Sequence, residues 1–401
     1  MTRTLIDSEV EWIGQVPVDW ELNRIGSLFH NRVEKVSDYD FEPLSVTKNG
    51  IFPQLANVAK SDNHNDRKKV CAGDFVINSR SDRKMSSGVS PIDGSVSLIN
   101  LVLYGDKITP EYANYLLKNY GFAEEFYRWG TGIVADLWST NFERMKRIVV
   151  PYPSKQEQVR IAQFLDLKNI QINSIIEDTR NSIEEFKKYK QSLIYEMATR
   201  GLNAEIEHKI SGIDWLDRIP SNWTEAKIKS ICTMKSGKNL ISEVIEESIE
   251  SAGYPVYGGN GLRGYFHEFN QEGNYILIGR QGALCGNIKL VSGKFWATEH
   301  AVVTKLKING DINYFSYLFE AMNLNQYSES AAQPGLAVGR IENLKTCVPP
   351  LEEQGKIAGV LDEKCAHIDS LIEQKQQLLV ELEFYKKSLI YEYVTGKKEV
   401  L

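Results

Sequence analysis

The chain repeats itself, and that repetition restricts its fold more than any other feature. Pro153-Ser154-Lys155-Gln156-Glu157-Gln158-Val159-Arg160-Ile161-Ala162 lies over Pro349-Pro350-Leu351-Glu352-Glu353-Gln354-Gly355-Lys356-Ile357-Ala358 at an offset of 196. The same offset runs without a gap to Ser192-Leu193-Ile194-Tyr195-Glu196 over Ser388-Leu389-Ile390-Tyr391-Glu392. Of the 47 positions from Pro153 to Thr199, 21 are identical to their counterparts, far above chance for unrelated helices. A shorter echo pairs Trp12, Pro17 and Trp20 with Trp215, Pro220 and Trp223 at an offset of 203. Each half therefore opens and closes alike, and a fold of two similar halves is implied. Between these ends, residues about 28–145 and 231–340 share little that aligns, although both are rich in Gly, Tyr, Val and Ile.

Neither Gly nor Pro interrupts the stretch from Ser154 to Thr199, and Ser154 is a suitable N-cap, so it reads as one long helix. Leu165, Ile172, Ile176, Ile183, Phe186 and Leu193 recur with heptad spacing, and Thr179 and Lys190 share their stripe. Adding 196 gives Leu361, Ile368, Ile372, Leu379, Leu382 and Leu389 in the same register. This is a coiled-coil seam, and the two helices are expected to pack on each other. Roughly 43 residues at about 1.5 Å each make a rod of about 65 Å, the length of a spacer.

The middles read as strands and loops. In the first, 74–80 and 96–103 are β-type runs bounded by Gly73 and Asp93-Gly94; in the second, 274–280 and 301–306 play that part. Helices are expected around Pro110–Tyr120 and Ile312–Met322, making both modules α+β. Each has a run ending in Arg, Arg80 or Arg280, followed by a polar loop containing Gly, a composition suited to groove contacts.

At 401 residues and 42% hydrophobic, the chain needs more than one core and is too apolar for disorder. No apolar run is long enough to cross a membrane, and the N-terminal nine residues lack a signal peptide's apolar stretch, so a cytoplasmic protein is expected. Five scattered cysteines without a Cys-x-x-Cys pair argue against disulfides and zinc knuckles. A net charge of −6 means that any nucleic-acid binding is local or shared with a partner.

Motifs for chemistry are missing. Gly259-Asn260-Gly261-Leu262-Arg263-Gly264 fits Gly-x-Gly-x-x-Gly but leads into Tyr265-Phe266-His267-Glu268-Phe269 rather than a helix. No Gly-Lys pair has P-loop spacing, the six histidines have no metal-ligand spacing, and no Asn-Pro-Pro-Tyr of adenine methyltransferases occurs.

Two variable modules, each led by Trp-x-x-x-x-Pro-x-x-Trp and closed by Pro-x-x-x-Glu-Gln-x-x-Ile-Ala before a long helix, resemble the specificity subunit of type I restriction-modification enzymes. Val348-Pro349-Pro350-Leu351-Glu352-Glu353-Gln354, Leu389-Ile390-Tyr391-Glu392, Gly258-Gly259-Asn260-Gly261 and Ile276-Leu277-Ile278-Gly279-Arg280-Gln281-Gly282-Ala283 resemble that family's motifs, and the likeness covers essentially the whole chain. The first linker, Pro151-Tyr152-Pro153-Ser154-Lys155-Gln156-Glu157, departs from the fuller form of the second.

The resemblance implies an α+β protein with two β-rich target-recognition domains, residues 1–152 and 204–348. They are separated by helical spacers, 153–203 and 349–401, forming an antiparallel coiled coil with a pseudo-two-fold repeat. It implies a non-catalytic DNA reader of a split, asymmetric target with a fixed gap. The partners it implies are double-stranded DNA, two methyltransferase subunits and two restriction-translocase subunits. S-adenosylmethionine, ATP and Mg belong to those partners, with no cofactor or metal on this chain. The residues expected to touch DNA are Lys48, Asn49, Asn78, Ser79, Arg80, Arg83 and Lys84 in the first module, and Asn260, Arg263, Arg280 and Gln281 in the second. The competing reading is a protein-binding scaffold with two β-rich heads on a coiled-coil rod.

Overall fold

The computed structural model describes residues 3–54, 64–132, 138–203, 205–248, 253–282, 284–329 and 335–400; Ala283 of the second recognition loop lies outside them. Four helices organise the chain: α1 (Pro110–Leu116), α2 (Lys155–Arg200), α3 (Ile312–Ala321) and α4 (Leu351–Val394). The chain divides into two compact units, residues 1–179 with 377–401, and residues 180–376, so each long helix starts in one unit and ends in the other. Among the described residues no helix is long and apolar enough to cross a membrane.

Within each unit the long helices pair antiparallel. In the first, the Phe164 and Tyr393 rings lie 4.5 Å apart and Lys386 Nζ donates to Asn173 Oδ1 at 2.8 Å. In the second, Lys190 Nζ contacts Asp369 Oδ2 at 2.6 Å and the Lys375 ammonium lies 5.7 Å from the Phe186 ring centre. Asn173 and Asp369 are counterparts at offset 196, so the duplicated register is kept in three dimensions. The expected seam is covered: Leu165, Ile172, Ile176, Ile183, Leu361, Ile368 and Leu389 are buried, and Phe186, Leu193, Ile372, Leu379 and Leu382 are half-buried. Such burial is the main stabilisation of long helices.

The sheets are two-faced. In the first unit, β1 (Leu44–Thr47) and β2 (Gly50–Pro53) form a hairpin, and β3 (Phe75–Asn78) runs between β4 (Ser87–Val89) and β5 (Asn100–Tyr104). Phe75, Ile77, Leu101 and Leu103 point into the core shared with α1 and α2, while Val76 and Val102 face a smaller cluster with Leu44 and Ile51. Successive side chains pointing to opposite faces produce this split, and burial on both faces explains the continuous apolar runs.

The second unit has a six-stranded sheet including β6 (Tyr254–Gly258), β7 (Gly261–Phe266), β8 (Gln271–Gly279) and β9 (Ala301–Leu306). Here Ile276, Ile278 and Val302 join the helix-backed core, and Leu277 and Val303 the smaller one. The middles that do not align as text therefore share a frame, with β3 matching β8 and β5 matching β9 at an offset of 201.

The repeated residues hold module to helix by the same bonds in both units. Trp20 Nε1 donates to Glu157 Oε2 at 2.9 Å, and Trp223 Nε1 to Glu353 Oε2 at 3.0 Å. Trp12 Nε1 donates to Val149 O at 3.1 Å, and Trp215 Nε1 to Lys345 O at 3.0 Å. Gln158 Oε1 accepts from Thr109 N and Gln354 Oε1 from Asp311 N, both at 2.9 Å. The Tyr115 hydroxyl donates to Asp166 at 2.5 Å and that of Tyr317 to Asp362 at 2.7 Å. Helix C-termini leave carbonyls unsatisfied; Tyr112 donates to Val394 O at 3.1 Å and Tyr314 to Ala198 O at 2.9 Å. Each module thus grips the start of one long helix and the end of the other.

Candidate nucleic-acid interface

Each unit presents a hairpin tip beside its recognition strands. In β1–β2 the turn is Lys48-Asn49 followed by Gly50 at φ 128°, and in β6–β7 it is Gly259-Asn260 followed by Gly261 at φ 106°. Asn-Gly suits such tight turns because Gly accepts positive φ. The Gly-x-Gly-x-x-Gly match of the second module is therefore this hairpin, not a nucleotide loop.

The first tip lies against β4, the neighbour of β3, and the second against the end of β8. A Cβ on Gly88 of β4 would come 3.2 Å from Gly50 Cα, and a Cβ on Gly279 would come 2.3 Å from Gly259 O. The outgoing residues correspond bond for bond: Ser79 O accepts from Thr140 N at 3.0 Å, and Arg280 O from Leu336 N at 2.9 Å. Arg80 bridges to Ser139 and Gln281 to Gly335. Arg80 thus corresponds to Gln281, and Arg280 to Ser79. The textual pairing of Arg80 with Arg280 is one residue out of register, because the shared Arg sits at neighbouring positions of one backbone path.

In the first unit Lys48, Asn49, Arg80 and Arg83 are exposed. Lys84 is drawn aside, paired with Glu124 at 2.5 Å. Asn78 and Ser79 differ from expectation in being 7% and 5% exposed. Asn78 Oδ1 accepts from Arg80 N at 3.0 Å, and the Ser79 and Ser139 hydroxyls are 2.8 Å apart. Both residues end a strand with two covered faces, so as placed they shape the loop and are not offered to a groove.

In the second unit Asn260, Arg263 and Gln281 come together with Gly259, Gly282 and His300 around a cleft of about 370 Å³. Arg263 Nη2 donates to Ser242 Oγ at 3.1 Å and Arg280 Nη1 to Ser236 Oγ at 3.2 Å, which aims the guanidiniums without neutralising them. His300, the cleft's remaining ionisable side chain, is not among the sequence-derived contact residues; its signal was the Glu299-His300 pair ahead of β9. A larger cleft of about 650 Å³ in the first unit is lined by Trp12, Lys84, Tyr120, Glu124, Arg128 and Trp138. Its cations are already paired, Lys84 with Glu124 and Arg128 with Glu11. Among the described residues no group of three or more His, Cys, Asp or Glu side chains is placed to hold a metal ion.

Residues 220–383 match the family model described as the type I restriction modification DNA specificity domain. The EcoprrI specificity subunit of a type I restriction enzyme from Escherichia coli is 48% identical over 133 residues, a third of each chain. The MjaVIII specificity subunit of Methanocaldococcus jannaschii is 24% identical over 422 residues, 96% of this chain and 94% of that one. A chain solved in work on assembly and conformational transition of the type I R-M system superposes with a TM-score of 0.76 at 14% identity, covering 96% of this chain and 99% of that one. The HsdS subunit from Thermoanaerobacter tengcongensis superposes with a TM-score of 0.55 at 15% identity, covering 96% and 98%. At these identities the structures speak for the fold, and the sequence matches show that residues 220–383 carry the type I restriction modification DNA specificity domain and that the chain is similar to specificity subunits of type I restriction enzymes.

Proposed function

We propose that this chain is the non-catalytic DNA reader of a type I restriction-modification complex, each unit reading one half of a split, asymmetric target. The observation that carries the reading is one backbone frame built twice with different outward side chains. Lys48 faces solvent where the second unit has Gly259, and Arg80 where it has Gln281. Arg forks onto guanine and Gln or Asn onto adenine, while Lys48 and Arg83 suit phosphates. Two unlike half-sites require this combination of fixed frame and changed contacts.

The unbroken helices between units act as the ruler that fixes the gap. Two methyltransferase subunits dock along the helices and the Trp-containing lead-ins; Leu167, Ile170, Val380 and Phe384 are 64%, 67%, 58% and 73% exposed there. Those partners methylate adenine with S-adenosylmethionine. Two translocase-nuclease subunits using ATP and Mg add restriction, in the cytoplasm. A net charge of −6 fits a reader whose partners share the phosphate contacts.

The test is co-expression with the adjacent methyltransferase in a methylation-free host, with modified adenines mapped by single-molecule sequencing. A split motif with one fixed gap is expected. Unmodified DNA despite a stable purified complex would overturn the reading in favour of a protein scaffold.

A further inference from the structure

His300 occupies a position where the frame opens onto the second unit's cleft. It directly precedes β9, its carbonyl accepts from Arg280 N at 2.8 Å, and its side chain lines the cleft with Asn260 and Gln281. In the first unit the same backbone position, bonded from Ser79 N at 3.4 Å, is Ile99. The two units therefore differ here in chemistry, imidazole against an aliphatic side chain, as they do at Arg80 and Gln281.

The ring has a built-in orienting partner. His300 Nε2 lies 3.1 Å from Glu299 Oε1, and the other carboxylate oxygen, Glu299 Oε2, is buried with no partner among the described residues. The contact is a close charge approach and not a formed hydrogen bond; beside an ionised carboxylate, which only accepts, the neutral tautomer with its proton on Nε2 is favoured, and Nδ1 is left as an acceptor. In a major groove that acceptor matches the exocyclic amino groups, N6 of adenine and N4 of cytosine, and mismatches the keto oxygens of guanine and thymine. The amide side chains of Asn260 and Gln281 on the same cleft suit adenine as well.

We infer that His300 is a specificity-determining residue of the second half-site, held by Glu299 to accept a hydrogen bond from the amino group of an adenine or cytosine. This rests on the DNA-reading function proposed above. Glu299 is a positioning residue: it acts through the ring.

The test uses the full chain in its partner complex, read by adenine mapping. His300→Ala is expected to relax one base of the second half-site, lowering discrimination there about tenfold, while the first half-site and the gap stay unchanged. His300→Asn keeps an acceptor and retains the preference, and it carries the test if the Ala variant does not assemble. Glu299→Gln replaces a group that only accepts by an amide that both donates and accepts, so the tautomer is no longer set and the preference for an amino group at that base weakens; a purely structural pair would not shift it. The wild-type motif persisting in both His300→Ala and Glu299→Gln complexes would overturn the role of His300. A wild-type complex without any split motif would instead overturn the DNA-reading function itself.

Discussion

Arg80 and Gln281 stand at one backbone position of a repeated frame, and the difference between them is a difference in what each can bind. A guanidinium offers a fixed fork of donors to guanine O6 and N7, whereas a primary amide both donates and accepts and so fits adenine. Arg80→Ala is expected to cost about 1–3 kcal/mol of discrimination at one base of the first half-site. Arg80→Gln should move that base from guanine toward adenine. Binding of the partner-bound complex to a duplex panel varied one base at a time reads both, and unchanged target choice would rule out Arg80 as a reader. Tyr112 and Tyr314 show the opposite behaviour, where identical residues do identical work. Burial pushes both phenols well above the ordinary 10.0, and each hydroxyl satisfies a helix-end carbonyl. The unfolded phenol ionises as pH passes 10.0 while the folded one keeps its proton, so the unfolded chain binds fewer protons and stability falls as pH rises. Tyr314→Phe should lose about 1 kcal/mol at neutral pH by removing the hydrogen bond, and lose less than wild type on going to pH 11. Denaturation midpoints at the two pH values check this.

A hairpin tip laid against the sheet at a glycine recurs in the candidate site, at Gly88 in the first unit and at Gly279 in the second, and its geometry depends on the absence of a side chain there. Gly279→Ala would put a Cβ within 2.3 Å of Gly259 O, a backbone atom that can yield only by moving the tip. The expected result is weakened modification governed by the second half-site with the first half-site's bases still read normally, measured by methylation rates on targets varied in either half. The helices were legible because they depend on period alone: the stripe through Leu165 and Ile176 repeats at Leu361 and Ile372. The recognition strands are legible as β-type runs at 74–80, 96–103, 274–280 and 301–306, but their equivalence is not, because what β3 and β8 share is which face each residue buries. Phe75-Val76-Ile77 and Ile276-Leu277-Ile278 share only their last letter and agree in every direction. The site was half legible. Exposed Arg80, Gln281 and the two Asn-Gly tips follow from turn chemistry and polarity. Asn78 and Ser79 carry the same polarity, but a second cluster of apolar side chains covers their strand. His300 was missed because its cleft is assembled from three segments distant in sequence.

The whole molecule behaves as a frame with two exchangeable inserts, and the borders of the inserts are set by matching bonds. Ile25 N donates to Ile148 O at 2.9 Å and Ile228 N to Leu344 O at 3.0 Å, so residues 25–148 and 228–344 are equivalent inserts. Every bond from insert to frame described above meets the same kind of acceptor on either side: Gln158 or Gln354, Asp166 or Asp362, and the carbonyl at the end of α4 or α2. Replacing residues 25–148 by a second copy of 228–344 therefore keeps Trp20 on Glu157 and the helix seam intact while changing every outward contact of the first unit. The chimaera should modify a split target whose two halves are both copies of the wild-type second half-site. Adenine mapping in the methylation-free host reads the outcome directly. Retention of the wild-type first half-site would mean that its specificity resides in the frame. Loss of all modification from a stably assembled chimaera would mean that an insert cannot read DNA outside its own unit.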